Sequence, residues 1–325
     1  MKAIRYDRYG PPEVLRVEET SNPAVGGEDV LVRVLAASVN PLDWHFMRGI
    51  PYIMRPQAGL RRPRDGVLGA DLAGRVAEVG KRVTAFAPGD EVFGYLAGRG
   101  TFAEYVSVRE DAVLAPKPAN QTFEQAASVP LAALTAWQAL RDHGHIQPGH
   151  KVLVNGAAGG VGTFAVQLAR ALGGEVTGVC GPRNTELVAS LGASHVIDYT
   201  REDFTRREQR YDLLVDIAGN RPLAAGRRLL TAQGILVGVG APDKGRVLGP
   251  MTRAVKALLL SRAGSPRVTF FLAKPNRDDL AELRDLLLAG RISPVIDRTY
   301  PLHQVPEAIA YLEQGHARGK VVITV

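Results

Sequence analysis

The chain has 325 residues, 46% of them hydrophobic and 22% charged, the proportions of an ordinary globular protein with room for two domains. Its formal charge of +7 comes from basic residues scattered along the chain, and no nucleic-acid reader motif is present, which argues against nucleic acid as a partner. The single cysteine, Cys180, excludes an internal disulfide, no secretory leader is legible, and no apolar run nears the roughly 18 residues of a membrane span, so a cytoplasmic setting is expected.

Residues 1–121 read as β-rich. Apolar or alternating runs at 30–36, 72–79, 91–95 and 102–108 are separated by turn signals such as Gly26-Gly27 and Pro88-Gly89-Asp90, a pattern that predicts a compact antiparallel, barrel-like domain. From Phe123, behind a Thr122 N-cap, the pattern becomes helical, and a second helix is expected over 134–140. Strands are expected next at 152–155, 175–180, 195–199, 211–217, 235–240 and 268–273. Helical patterns at 161–172, 185–191 and 222–230, and a short polar segment near 202–208, lie between the first five. This alternation predicts an α/β doubly wound parallel sheet with helices on both faces. The stretch around 254–261, interrupted by Lys256, reads as a buried or interface helix. After Pro275 come a helix over 277–288, a segment at 294–300, a helix over 305–314 and a closing strand at 320–325 that returns to the first domain. The expected domains are therefore 1–121 with 275–325, and 122–274.

The second domain opens with Asn155-Gly156-Ala157-Ala158-Gly159-Gly160-Val161-Gly162, set between an apolar strand and a helix. Free N–H groups and a partial positive charge at a helix start suit a pyrophosphate, and absent side chains let the backbone approach it. A second strand about 20 residues later is what a dinucleotide-binding unit requires. The plainer reading is a tight turn with no ligand.

These segments, together with Met1-Lys2-Ala3, Ser38-Val39-Asn40-Pro41-Leu42-Asp43-Trp44, Gly69-Ala70-Asp71-Leu72-Ala73-Gly74, 88–94, Thr135-Ala136-Trp137 and Gly319-Lys320-Val321-Val322, resemble the medium-chain dehydrogenase/reductase superfamily, in its zinc-independent, quinone-oxidoreductase-like branch. The resemblance implies a GroES-like catalytic domain, a Rossmann nicotinamide domain and an active site in the cleft between them. It also implies a homodimer joined through the edge strand Val268 to Ala273, whose sequence would be an aggregation hazard if left bare.

Zinc-dependent relatives take a histidine at the position that reads Ala70 here, and the only cysteine lies in the second Rossmann strand. About four tetrahedral ligands are not available, and no metal is expected. His143 and His145 form a lone His-x-His pair that reads as surface. The second strand ends Cys180-Gly181-Pro182-Arg183-Asn184, without the acid that would hold an NAD ribose. Gly181 leaves space and Arg183 offers a charged fork for a 2′-phosphate, so NADPH is the expected cofactor; alternatively Arg183 merely opens the next helix in solvent.

By the resemblance, Asn184 and Tyr199 sit around that phosphate, and Gly156, Ala158, Gly159, Gly160, Val161 and Gly162 cradle the pyrophosphate. Asn40, Thr135, Gly238, Gly240, Ala241 and Lys320 lie near the nicotinamide, with Arg318 beside them, and Asn40 and Asp43 are the catalytic candidates. Asn40 reads otherwise as a turn residue before proline, Asp71 as a cleft or strand-end polar group, and Trp137 as cofactor-side or core. His45, Tyr52 and the proline- and arginine-rich 48–64 segment are expected to shape the substrate pocket. The implied reaction is hydride transfer from NADPH to a quinone or enone, with a small-molecule partner. Alternatives are an enoyl-thioester reductase and a nicotinamide-binding redox sensor or accessory protein with little turnover.

Overall fold

A computed structural model of the chain describes residues 1–96, 100–240, 251–262 and 264–325. In chain order its strands are β1 (Lys2–Arg5), β2 (Arg16–Glu19), β3 (Asp29–Val39), β4 (Asp71–Val79), β5 (Glu91–Tyr95), β6 (Tyr105–Arg109), β7 (Val113–Pro116), β8 (Lys151–Asn155), β9 (Glu175–Cys180), β10 (His195–Asp198), β11 (Tyr211–Asp216), β12 (Leu230–Val239), β13 (Arg267–Phe271), β14 (Ile296–Pro301) and β15 (Lys320–Thr324). Two compact units result. The first joins Met1–Leu134 with Pro275–Gly290 and Pro294–Val325, and the second joins Thr135–Lys274 with Arg291–Ser293. Residues 122–134, expected in the second domain, group with the first, because the helix Phe123–Ala127 buries Ala126 and Ala127 and packs on β3 and β4.

The first unit is built on β3, whose 11 residues outlast any one partner. β6 pairs with its beginning, β15 with its end and β4 along most of its length, giving the sheet order β14-β15-β3-β4-β5-β7 with β6 also on β3. Register shifts at Leu31/Val32 and Val34/Ala36 supply the local extra twist that a bulged, curling sheet needs. Val30, Val32, Leu72, Val92, Leu114, Val321 and Ile323 fill the core beneath it. The pairing is antiparallel as expected, except that β14 runs parallel to β15. The closing strand does return to β3. The run expected at 102–108 forms a strand only from Tyr105, while Ala103 makes an isolated bridge to Ala3.

In the second unit all six strands are parallel, in the order β10-β9-β8-β11-β12-β13. Counted within the unit this is 3-2-1-4-5-6, the doubly wound dinucleotide-binding order. The winding reverses between β8 and β11, which sets Asn155 directly beside Asp216. β12 starts five residues before its expected position because its polar beginning, Thr231 to Gln233, hides the strand period. The helix expected over 134–140 is instead Pro130–Gln138, followed by a wider turn through Ala139–His143. In the helix Met251–Arg262, Ala257 is buried while Val255, Leu258 and Leu259 are exposed.

Candidate active site

A buried polar cluster sits where three neighbouring strands of the first unit meet. β3 presents Ser38 and, just past its end, Asn40; β4 opens with Asp71 and β15 with Lys320, all four buried. The register puts Ser38 opposite Asp71 on one side and Val322 on the other, so residues far apart in sequence are brought together by strand pairing. Asp71 Oδ2 accepts from Ser38 Oγ at 2.8 Å and from Asn40 Nδ2 at 2.9 Å. Its Oδ1 accepts from the Leu131 backbone N–H at 2.9 Å, at the start of the helix Pro130–Gln138, where the dipole favours an anion. Lys320 Nζ donates to Asn40 Oδ1 at 2.6 Å and lies 3.4 Å from Asp71 Oδ2. The second amide hydrogen of Asn40 goes to Ser38 O at 3.2 Å, so both amide hydrogens are committed and a lone pair on Oδ1 remains as acceptor capacity.

Asp43 is held beside this cluster by the helix Pro41–Arg48. Pro41 takes the first helical position, Asn40 is an extended N-cap, and Asp43 Oδ2 reaches back to accept from Asn40 N at 2.7 Å. Its Oδ1 accepts from Gly69 N at 3.0 Å. Only glycine fits there: φ is +98°, and a Cβ would stand 2.4 Å from Thr101 Oγ1. Burial pushes the Asp43 carboxyl up to about 7, with the Asp71 charge adding to burial and the N–H bonds from Asn40 and Gly69 opposing it. The folded protein therefore binds this proton more tightly than the unfolded chain. The resulting stability is fully present below the unfolded carboxyl's pKa and is lost as pH rises through about 7. Urea unfolding of Asp43→Asn should show a flatter dependence of stability on pH over that interval than the wild type; an unchanged slope would mean that another group is responsible.

Two further titratable groups of the same unit are shifted by burial. Tyr95, opposite Asp71 on β5, has its phenol pushed up to about 12 by burial and then by the charges of Asp71 and Asp43, so it keeps its proton. His45 stacks on Trp44 with ring centroids 3.7 Å apart, and its Nδ1 donates to Ile50 O at 2.8 Å. Burial holds the imidazole below its ordinary pKa.

The glycine turn of the second unit follows β8. Gly156 has φ +90°, and the N–H groups of Gly156 and Ala157 both donate to Val179 O of β9, at 3.1 and 3.0 Å. Gly159 caps the helix Gly160–Ala171 in extended conformation, with Ala158 just before it and Gly160 and Val161 as the first two helical residues. A Cβ at Gly162 would lie 2.0 Å from Gly156 O, so turn and helix can approach this closely only with glycine there. The first turn of the helix carries no acid, and its leading N–H groups have no intrahelical acceptor.

At the end of β9 the chain passes through Gly181 and a short Pro182–Asn184 turn into the helix Thr185–Ser190. A Cβ on Gly181 would come within 3.1 Å of the Tyr199 hydroxyl, which places these two sequence-chosen residues side by side. Arg183 is exposed and makes no ion pair among the described residues. The neighbouring acid Asp198 is turned into its own loop, accepting from Thr200 N at 2.9 Å and Thr200 Oγ1 at 2.8 Å.

Gly238 lies on β12 against Phe270, Gly240 follows with φ +58°, and Ala241 lies outside the described residues. Thr135 and Trp137 are buried on the helix Pro130–Gln138, and the Trp137 indole N–H has no acceptor among the described residues. His143, expected on the surface, is half-buried and stacks on Phe271 at 4.2 Å, because the wider turn after Gln138 folds it inward; His145 is exposed. Among the described residues no group of three or more His, Cys, Asp or Glu could hold a metal ion.

Sequence reasoning missed Asp216. At the end of β11 its Oδ1 accepts from Asn155 Nδ2 at 2.7 Å and Gly219 N at 3.0 Å, and Asn155 Nδ2 also reaches Asn220 Oδ1 at 3.0 Å. The available signal was an acid closing the fourth parallel strand three residues before a glycine, at the reversal of winding where ligands of such sheets bind.

Comparison with known proteins agrees with this architecture. Residues 26–119 match the alcohol dehydrogenase GroES-like domain, and residues 191–323 match the family described as zinc-binding dehydrogenase. Across the whole chain it is 36% identical over 366 residues to the mouse protein "NAD(P)H oxidoreductase RTN4IP1, mitochondrial", covering 89% of that protein. It is 33% identical to the tomato 2-methylene-furan-3-one reductase, over 99% of this chain and 79% of the relative. The crystal structure of Escherichia coli quinone oxidoreductase complexed with NADPH superimposes with a TM-score of 0.83 at 27% identity, covering 100% of both chains. The chain belongs to the quinone-oxidoreductase-like branch of the medium-chain dehydrogenase/reductase superfamily. Its relatives are NAD(P)H oxidoreductases, and this chain is read as an oxidoreductase on the same grounds. Asp71, the acid that follows Gly69-Ala70, is engaged by Ser38, Asn40, Leu131 and Lys320.

Proposed function

We propose that the protein is an NADPH-dependent reductase that delivers hydride to a quinone or to the β-carbon of an enone without a metal. The observation that carries this reading is the pairing of the Gly156–Gly162 turn with an acid-free end of β9, where Gly181 lies beside Tyr199 and the exposed Arg183 follows two residues later. Arg183 and Tyr199 would hold the adenosine 2′-phosphate, with Asn184 beside them, and the turn residues Gly156, Ala158, Gly159, Gly160, Val161 and Gly162 the pyrophosphate. Gly238, Gly240, Ala241 and Thr135 complete the nicotinamide side. When bound, NADPH supplies the hydride. The chain supplies position and charge: Asn40 Oδ1 would accept from a hydroxyl of the bound ligand, Lys320 keeps Asn40 in register, and Asp43 ties Asn40, at the end of β3, to Gly69, just ahead of β4. Solvent provides the proton that completes the reduction.

We read the protein as a homodimer through β13. The exposed Leu272 just beyond that edge strand, and the exposed Val255, Leu258 and Leu259 of the helix Met251–Arg262, support this by offering apolar surface a second copy would cover. A reducing, cytoplasmic compartment suits the lone buried Cys180.

Binding tests the cofactor assignment. Titration by nicotinamide fluorescence should show tighter binding of NADPH than NADH, and Arg183→Ala should weaken NADPH roughly tenfold or more while leaving NADH within about twofold, as loss of a charge-assisted phosphate contact requires. Equal losses for both nucleotides would remove Arg183 from the phosphate site.

A further inference from the structure

The segment from Arg48 to Asp65 is a folded lobe. Tyr9 Oη donates to Gly59 O at 2.6 Å, Arg64 N to Ala58 O at 2.8 Å, and Arg55 Nε to Gly49 O at 2.8 Å. The Arg55 guanidinium lies 4.7 Å from the Tyr9 ring centroid and 4.5 Å from that of Tyr52, a stack that ties the lobe to the chain's beginning. At Gly59 the chain doubles back so tightly that a Cβ would meet Arg62 O at 2.0 Å.

This fixed frame holds three apolar side chains in solvent: Tyr52 is 43% exposed, Ile53 51% and Leu60 70%. Following Leu60 stand Arg61, Arg62 and Arg64, all exposed and none in an ion pair among the described residues. Asp65 is the only acid from 48 to 65. Elsewhere in the same unit Arg16, Arg75, Arg82 and Arg109 each have a carboxylate partner, and Arg5, Arg8 and Arg33, which have none among the described residues, are spread along the chain, so what sets 61–64 apart is three unpaired arginines in four residues. Unpaired arginines next to projecting aliphatic and aromatic side chains match an anionic lipid surface, where the former meet phosphates and the latter enter the boundary between headgroups and acyl chains. An acidic protein patch would satisfy the arginines but gives no reason for Ile53 and Leu60 to project.

We propose that the Tyr52–Arg64 lobe is a peripheral docking surface for an anionic lipid bilayer. This inference does not rest on the reductase reading, because its readout involves no turnover. The full-length chain is sedimented with vesicles of phosphatidylcholine alone and of phosphatidylcholine with phosphatidylglycerol. Binding is expected only to the anionic vesicles and should fall as salt is raised. The triple variant Arg61→Gln/Arg62→Gln/Arg64→Gln should lower partitioning roughly a hundredfold, since each arginine near such a surface is worth roughly a fivefold gain. Ile53→Ser/Leu60→Ser should lower it with the charge unchanged, and circular dichroism of every variant checks that it is folded. Absence of binding to anionic vesicles would overturn the proposal, as would equal binding to phosphatidylcholine alone. So would salt-sensitive binding indifferent to Ile53→Ser/Leu60→Ser, the response of a general polyanion site.

Discussion

Replacing Lys320 with methionine should cost the protein about 3 kcal/mol of folding stability or more, read as a lowered urea midpoint at unchanged m-value. The reason lies in what the substitution leaves behind. Asp71 is fully buried, and Lys320, itself buried, is the cation beside it. Methionine fills nearly the same volume but removes the charge, so Asp71 retains its bonds from Ser38, Asn40 and Leu131 without a counter-ion. Asn40 Oδ1 loses its donor in the same step, at a further cost of order 1 kcal/mol. Adding Asp71→Asn to Lys320→Met should return part of the loss by removing the unpaired charge. A Lys320→Met protein within about 0.5 kcal/mol of wild type would mean that the cluster is not held by this pair.

The second large effect is expected at the glycine turn. Gly162→Val should weaken NADPH binding at least a hundredfold, because the new Cβ would meet the Gly156 carbonyl at 2.0 Å, and backbone rather than a flexible side chain has to move. Gly159→Ala provides the contrast. Its backbone is extended with φ −80°, and the nearest atom to an added Cβ is Gly156 O at 3.7 Å, an ordinary contact. That variant should fold with stability within about 0.5 kcal/mol of wild type and yet bind NADPH less tightly, since the open space above Gly159 is where the reading places the pyrophosphate. Unchanged NADPH affinity in both variants would remove the turn from the binding site.

Much of the second unit was legible because its buried parallel strands are short apolar runs cut off by glycine. Glu175–Cys180 was read to the residue, as was Glu91–Tyr95 in the first unit. β1, β2 and β7 escaped because four residues are too few to establish a period of two, whereas β10, equally short, was legible from its place in the alternation of strands and helices. The helix Pro41–Arg48 was hidden behind Asn40-Pro41, which reads as a turn. The turn was there as the cap, and Asp43 three residues later was the sign that a helix followed. What sequence could not offer was the partnership at the centre of the cluster. Lys320 and Asp71 are 249 residues apart, and Lys320 and Asn40 280 apart, so only the pairing of β15 and β4 with β3 brings them within bonding distance. Lys320 was therefore read as a cofactor contact, and its role in holding Asn40 became visible only in the fold. Asp216 was passed over for a related reason, since its meaning depends on lying next to Asn155 across the reversal of the parallel sheet.

The measurement closest to the central claim is turnover. Purified protein is mixed with NADPH, and the loss of nicotinamide absorbance is followed after adding a simple benzoquinone or, separately, an enone, with a chelator present throughout. The account predicts saturable NADPH oxidation with at least one acceptor, undiminished by chelation and slower with NADH. Tight NADPH binding with no oxidation by either acceptor would contradict the reductase reading and leave a nicotinamide-binding protein without this chemistry. Activity abolished by the chelator and restored by zinc would contradict the metal-free part of it.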